Sequence, residues 1–161
     1  TDVQLSTNLV VVELPHVFEA FSRNAVQIIL SDHHYWRGAT GARHLGEMCR
    51  AAGMGVSMHS NTHLGISLAA MTHVAAATPN LTYDCDTHYA WTNQEVIKGG
   101  RWKFIDGALK VPTGPGLGVE LDYTALAELH DAYLEQTQID RNDTEEIRRY
   151  IPDYVRQVPR W

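Results

Sequence analysis

Val26-Gln27-Ile28-Ile29-Leu30, running into Ser31-Asp32-His33-His34, decides the fold. A short β-branched apolar run without alternation is the pattern of a strand buried on both faces, and this one ends in a polar tip. Gly38 and Gly41 mark a loop after it. Ala42, Leu45, Met48, Cys49 and Ala52 then recur at three-to-four spacing, an amphipathic helix closed by Gly53. Met54-Gly55-Val56-Ser57-Met58 reads as the next strand, ending in His59-Ser60-Asn61. Ser60 or Asn61 can cap a helix over 64–77, which is apolar almost all round and is expected to be deeply packed. Pro79-Asn80 breaks it, and Leu81-Thr82-Tyr83-Asp84-Cys85 is a third strand candidate leading to Asp86-Thr87-His88. The tips recur about 28 residues apart, the period of a βα unit, so the expected class is α/β with a parallel sheet. In such sheets chemistry gathers at the carboxyl ends of the strands, where all three tips lie.

Beyond residue 90 the pattern changes. Arg101 to Val111 reads as a hairpin around Asp106-Gly107, and Val111 to Gly118 as a Pro/Gly connector. Asp122 caps a helix whose inner stripe is Leu126, Leu129, Ala132 and Tyr133. The charged tail from Asp140 ends in Ile151-Pro152-Asp153-Tyr154, expected to be irregular.

The chain has 161 residues, with 44% hydrophobic and 20% charged positions, an ordinary globular composition. Thirteen basic against 19 acidic residues give a net charge of −6, which argues against a nucleic-acid partner needing a basic face. No apolar run reaches the roughly 18 residues of a membrane span. Two cysteines, Cys49 and Cys85, make no disulfide framework and no secretory leader is visible, so a cytoplasmic setting is expected. Both cysteines fall on apolar patterns and read as core residues.

Nine histidines stand out. Asp32 at one tip and His59 at the next can meet across the mouth of a parallel sheet, the carboxylate orienting the ring as a general base. The plainer reading is a loop aspartate and a solvated histidine. His59 and His63, four apart, could alternatively join His33, His34 or His88 around zinc, although no H-E-x-x-H or thiolate cluster supports it. His16, His44, His73 and His130 read as structural or surface residues, as do Trp36, Trp91 and Trp102. Gly114-Pro115-Gly116-Leu117-Gly118 lacks the strand before and the Lys-Ser/Thr after that a phosphate loop requires.

Asp32-His33-His34-Tyr35-Trp36, Met58-His59-Ser60-Asn61-Thr62-His63, Thr72-His73-Val74-Ala75-Ala76-Ala77 and Asp86-Thr87-His88, in this order, resemble the acid-sugar dehydratases of the enolase superfamily, glucarate dehydratase group. Pro115-Gly116-Leu117-Gly118-Val119-Glu120 and Arg141-Asn142-Asp143 with Ile151-Pro152 agree. The resemblance implies the C-terminal part, about strands 6 to 8 with their helices, of a modified (β/α)7β barrel of TIM type. Residues 1–100 would be its βα units, and 101–161 a hairpin, helix and tail completing the barrel and packing toward a capping domain. The implied reaction is Mg²⁺-assisted removal of the proton α to a carboxylate, then loss of the β-hydroxyl as water, with D-glucarate giving 5-dehydro-4-deoxy-D-glucarate. His59 resembles the general base that also protonates the departing hydroxyl, and Asp32 its dyad partner. Asn8 is similar to the last metal ligand, after strand five. His59, Ser60, Asn61, His88 and Arg141 match substrate-binding positions, Arg141 suiting a distal carboxylate.

The sequence departs from the family's usual pattern at Thr62 and Tyr89, beside site residues, which bears on the choice of aldarate. Leu9 to Val12 reads as strand by propensity, but the resemblance makes it the loop after strand five. The second acid/base group and the carboxylate metal ligands of the family are not among these residues, and the chain opens at Thr1. The expectation is therefore that it begins mid-barrel, its partners being the rest of that barrel, a second copy in a homo-oligomer and a small acid-sugar substrate. Rival readings are another dehydratase or epimerase of the superfamily, a catalytically silent barrel homologue serving as a binding subunit, and a zinc hydrolase.

Overall fold

The computed structural model describes residues 2–61, 63–136 and 142–156. Four parallel strands lie in the order of the chain: β1 (Ser6–Thr7), β2 (Ile28–Ser31), β3 (Gly55–Ser60) and β4 (Asp86–Thr87). The connecting helices are α1 (Leu14–Ser22), α2 (Gly38–Ala51) and α3 (Gly65–Ala76). Parallel neighbours joined through helices are the βα repeat that the apolar runs predict. Ile29, Val56 and Met58 from the sheet pack with Leu45 and Cys49 of α2 and Leu68 and Met71 of α3, all nearly or wholly buried. Each such side chain contributes roughly 1.5–3 kcal/mol of burial.

The repeat also extends one unit further upstream than the apolar runs show. β1 has only two residues, and α1 buries only Val17 and Ala20, so neither leaves a strong periodic signal. Leu9 to Val12 is irregular, in keeping with the loop reading. Gly38 and Gly41 lie inside α2 and not in a loop. Arg37 (φ 59°) and Gly38 (φ 83°) make the sharp entry. Gly41 is required because a Cβ there would stand 1.6 Å from the Trp36 carbonyl oxygen.

The expected cap of α3 is also corrected. Ser60 ends β3, and the residue preceding the helix is Leu64, which offers no side-chain cap. Glu95 reaches in from a distant segment, its Oε1 accepting the Gly65 N–H at 3.0 Å. A carboxylate at a helix N-terminus satisfies an orphan donor and meets the positive end of the dipole.

The third strand is shorter and later than 81–85. Leu81 makes a single bridge to Val56, and regular pairing resumes only at Asp86–Thr87. In between, the Ser57 hydroxyl donates to the Asp84 carbonyl at 2.6 Å, and the Tyr83 ring lies against Gly55. Side chains thus replace the ladder there and turn Cys85 outward, so only Cys49 is a core cysteine.

At 101–111 the Asp106-Gly107 turn forms with both residues at positive φ, as a type I′ turn requires. Its pairing stops at Ile105 and Ala108, since an isolated ribbon without an apolar face is marginal. Asp122 caps α4 (Tyr123–Leu134) as expected, Oδ1 accepting the Thr124 and Ala125 N–H groups at 3.1 Å. None of that helix's residues is buried, so the predicted inner stripe is not an inner one here. Contacts divide the chain into two compact units, Thr1–Leu126 and Ala127–Trp161. Within the second, the tail holds a short helix α5 (Asp143–Arg148), where Asn142 accepts the Glu145 N–H and acidic residues fill the first turn. Ile151–Tyr154 is irregular.

Candidate active site

The carboxyl ends of the four strands carry Asn8, Asp32, His59-Ser60-Asn61 and Asp86-Thr87-His88 on one edge of the sheet. Ser31 pairs with Met58, so Asp32 and His59 are the next neighbours in register, and His59 pairs onward with Asp86. Parallel strands stand about 4.8 Å apart, and side chains at equal register share a face. Register therefore lines up Asp32, His59 and Asp86.

His59 keeps 11% of its side-chain surface exposed, and its Nδ1 lies 2.8 Å from Asp86 Oδ2. Its ring meets His88 edge-on at 5.4 Å, and His88 stacks on Trp91 at 4.4 Å. Asp32 is brought beside His59 but no hydrogen bond joins them. The Asp32 carboxylate, only 6% exposed, accepts from residue 34 instead: the backbone N–H at 2.9 Å and Nδ1 at 2.6 Å, both on Oδ1. Two donors on one oxygen meet much of the cost of burying this carboxyl group, and among the described residues no hydrogen bond engages Oδ2.

Ser60 is fully buried, as strand alternation demands of the neighbour of a site-facing His59. Its hydroxyl is committed to Thr87 (2.9 Å) and His63 (2.9 Å). Asn61 is exposed. Asn8 is half-buried at its strand tip, and its amide makes no hydrogen bond to another described residue. Arg141 and Thr62 lie outside the described residues. Tyr89 sits wholly in the core, its hydroxyl bonded to Glu95 and receiving the Trp102 N–H at 3.0 Å. Burial first and the Glu95 bond second push that phenol up to about 12. The Tyr89 departure thus acts on the packing behind His88.

Among the described residues, His59 and His63 are not brought together in a cluster that could hold zinc. Both ring nitrogens of His63 are engaged, Nδ1 with Ser67 and Nε2 with Ser60 and Thr87. Burial, with His34 and His33 nearby, takes its pKa down to about 4, and burial likewise lowers His33. Asp32, His33 and His34 do offer three ligand atoms within 4.8 Å of one another. The two closest of those are already hydrogen-bonded together. A cavity of about 900 Å³ lined by Val12, Leu14, Tyr35, Trp36, His44 and Met48 contains none of the tip residues.

Sequence reasoning missed Asp86 as a partner of His59. The spacing marks Asp86 as the next strand tip, 27 residues after His59, the same step that separates His59 from Asp32, but it does not say that the two side chains bond. Glu95 and Ser67 carry no comparable signal, because neither stands at a strand tip and their bonds to Gly65 and to His34 span 30 and 33 residues.

Comparison with known proteins agrees with this geometry. Residues 1–125 match the model of the family described as enolase C-terminal domain-like. A protein of Streptomyces coelicolor named "Probable glucarate dehydratase" is 49% identical across the whole chain, which spans 38% of its length. Muconate cycloisomerase 1 of Rhodococcus opacus is 28% identical over 71% of the chain and 31% of its own length. A Pseudomonas fluorescens enolase crystallised with bound magnesium, potassium and tartrate superimposes with a TM-score of 0.89 at 50% identity, over 96% of this chain and 37% of that one. Strand-tip geometry, family model and superposition agree, and this chain belongs to the enolase C-terminal domain-like family.

Proposed function

We propose that this chain supplies about strands 6 to 8 of an enolase-type barrel, entered from the end of strand 5 at β1, with residues 101–161 completing it toward a capping domain, in a Mg²⁺-dependent acid-sugar dehydratase. Its substrate is proposed to be D-glucarate, converted to 5-dehydro-4-deoxy-D-glucarate and water in the cytoplasm by a homo-oligomer. The observation that carries the reading is the alignment of His59 beside Asp32 at the carboxyl ends of adjacent parallel strands, in a chain 49% identical to a probable glucarate dehydratase.

In this reading the unprotonated His59 Nε2 takes the proton α to the substrate carboxylate, while Nδ1–H is held by a neighbouring carboxylate. Asp86 holds it at 2.8 Å, and Asp32 Oδ2 is the alternative partner once the ring turns. The resulting imidazolium then returns the proton to the departing β-hydroxyl, so one ring serves both half-steps. Asn61, His88 and the Ser60 backbone line the tip beside it, and Arg141 is assigned the distal carboxylate. Asn8 fits a metal ligand: a half-buried amide oxygen without a hydrogen-bond partner among the described residues, at a strand tip. Mg²⁺ needs several oxygen ligands, so the remaining ones come from outside these residues. Bound there, it supplies positive charge that lowers the cost of ionising the α-carbon.

The test is turnover of D-glucarate by the full protein with Mg²⁺, against a panel of other aldarates and aldonates. His59→Gln should lose activity by roughly 10³-fold or more while the circular dichroism spectrum is kept. Retained turnover in that variant removes His59 from the base role. Dehydration of another acid sugar in preference to glucarate overturns the substrate assignment.

A further inference from the structure

The Asp32 carboxylate is the end of a longer chain of polar groups. His34 Nδ1 meets Asp32 Oδ1 at 2.6 Å, and His34 Nε2 meets the Ser67 hydroxyl at 2.7 Å. Ser67 Oγ meets His63 Nδ1 at 3.0 Å. His63 Nε2 meets the hydroxyls of Thr87 at 2.8 Å and Ser60 at 2.9 Å. The chain thus crosses from the tip of β2, through the first turn of α3, to the ends of β3 and β4.

Donor and acceptor rules orient it. A carboxylate only accepts, so His34 Nδ1 carries a hydrogen. With that ring neutral, Nε2 is bare and the Ser67 hydroxyl donates to it. Ser67 Oγ must then accept from His63 Nδ1–H, which leaves His63 Nε2 to accept from the Thr87 or Ser60 hydroxyl. A neutral His63 suits this, since burial keeps that ring uncharged above about pH 4. Every hydrogen in the series points toward Asp32, and aligned bonds polarise one another. His33 Nε2 touches Ser67 from the side at 3.3 Å, while its Nδ1 is buried without a partner among the described residues.

We infer that His34, Ser67 and His63 are positioning residues, forming a one-way hydrogen-bond chain that locks Asp32 Oδ1 and presents Oδ2 toward His59. The chain fixes the rotation of the carboxyl group, and so the oxygen that can meet the imidazole. A backbone N–H alone holds the oxygen but leaves the group free to swing about it. The inference rests on the dehydratase reading for its kinetic consequence, but not for its hydrogen positions.

The two are tested separately in the full protein. Two-bond ¹H–¹⁵N spectra of histidine-labelled protein should show His34 and His63 with hydrogen on Nδ1 and a bare Nε2, and Ser67→Ala should change the His34 pattern. Hydrogen on Nε2 of His34 in the unaltered protein overturns the chain. In the kinetic arm, Ser67→Ala should lower kcat for the acid sugar roughly tenfold through misplacement of the dyad, with KM held within about twofold. Ser67→Thr, which keeps the hydroxyl, should restore it. His34→Ala, at a half-exposed side chain, should match Ser67→Ala in kcat, with circular dichroism showing that the fold is kept. Unaltered kcat in both alanine variants overturns the positioning role. If the unaltered protein dehydrates no acid sugar, the dehydratase reading fails, and the tautomer spectra still decide the chain.

Discussion

Glu95 is the residue whose loss the structure prices most directly. Its Oε1 accepts the N–H of Gly65 at the start of α3 and, at 2.7 Å, the N–H of Val96. Its other oxygen takes the hydroxyl of the fully buried Tyr89. Glu95→Ala strands the Gly65 and Tyr89 donors in buried positions, at about 1–3 kcal/mol each. It also removes a charge worth about 0.5–1 kcal/mol at the N-terminus of α3. The sum, about 2.5–7 kcal/mol, is a large part of a domain's ~5–15 kcal/mol. Glu95→Gln keeps an oxygen facing the two N–H groups and loses only the charge and the acceptor for Tyr89, so about 1.5–4 kcal/mol is expected. Urea unfolding followed by circular dichroism measures both variants, with an unchanged m value showing that the same surface unfolds. Tyr89→Phe supplies the cross-check: it should cost less in the Glu95→Ala background than alone, because there it removes a stranded donor and only the Trp102 N–H loses its acceptor. Equal losses for Gln and Ala, or a loss below about 1 kcal/mol for Ala, refute the hydrogen-bond accounting.

Gly41→Ala should cost at least ~3 kcal/mol, since its Cβ meets a backbone oxygen of Trp36 that cannot rotate away; a melting temperature close to the unaltered protein's would show that the α2 entry is wrongly drawn. His63 titrates in the fold near 4 against 6.5 in an unfolded chain. The unfolded state therefore takes up the proton first as pH falls, so this contribution is whole above about pH 6.5 and is lost progressively toward pH 4. Denaturation midpoints across that window should fall less steeply in His63→Gln, and parallel curves would deny the buried neutral ring.

The parallel α/β class, the polar tips and the helices α2 and α3 were legible because each depends on local pattern: unbroken apolar runs, three-to-four spacing, a polar residue at each strand end. The tip residues Asp32, His59 and His88 were legible for the same reason, as was Asp122 as a cap. Bonding partners were not. Asp86 meets His59, His34 meets Asp32, and Glu95 caps α3 because register and side-chain rotamers bring them within 3 Å. In the cut-short third strand the Ser57 hydroxyl reaches the Asp84 carbonyl and the Tyr83 ring lies against Gly55 where ladder bonds were expected. A hydrogen bond is lost over a fraction of an ångström, whereas an apolar run only has to be apolar. The sequence by itself therefore determined which residues stand at the mouth of the sheet, and only the tertiary structure decided which carboxylate each histidine holds.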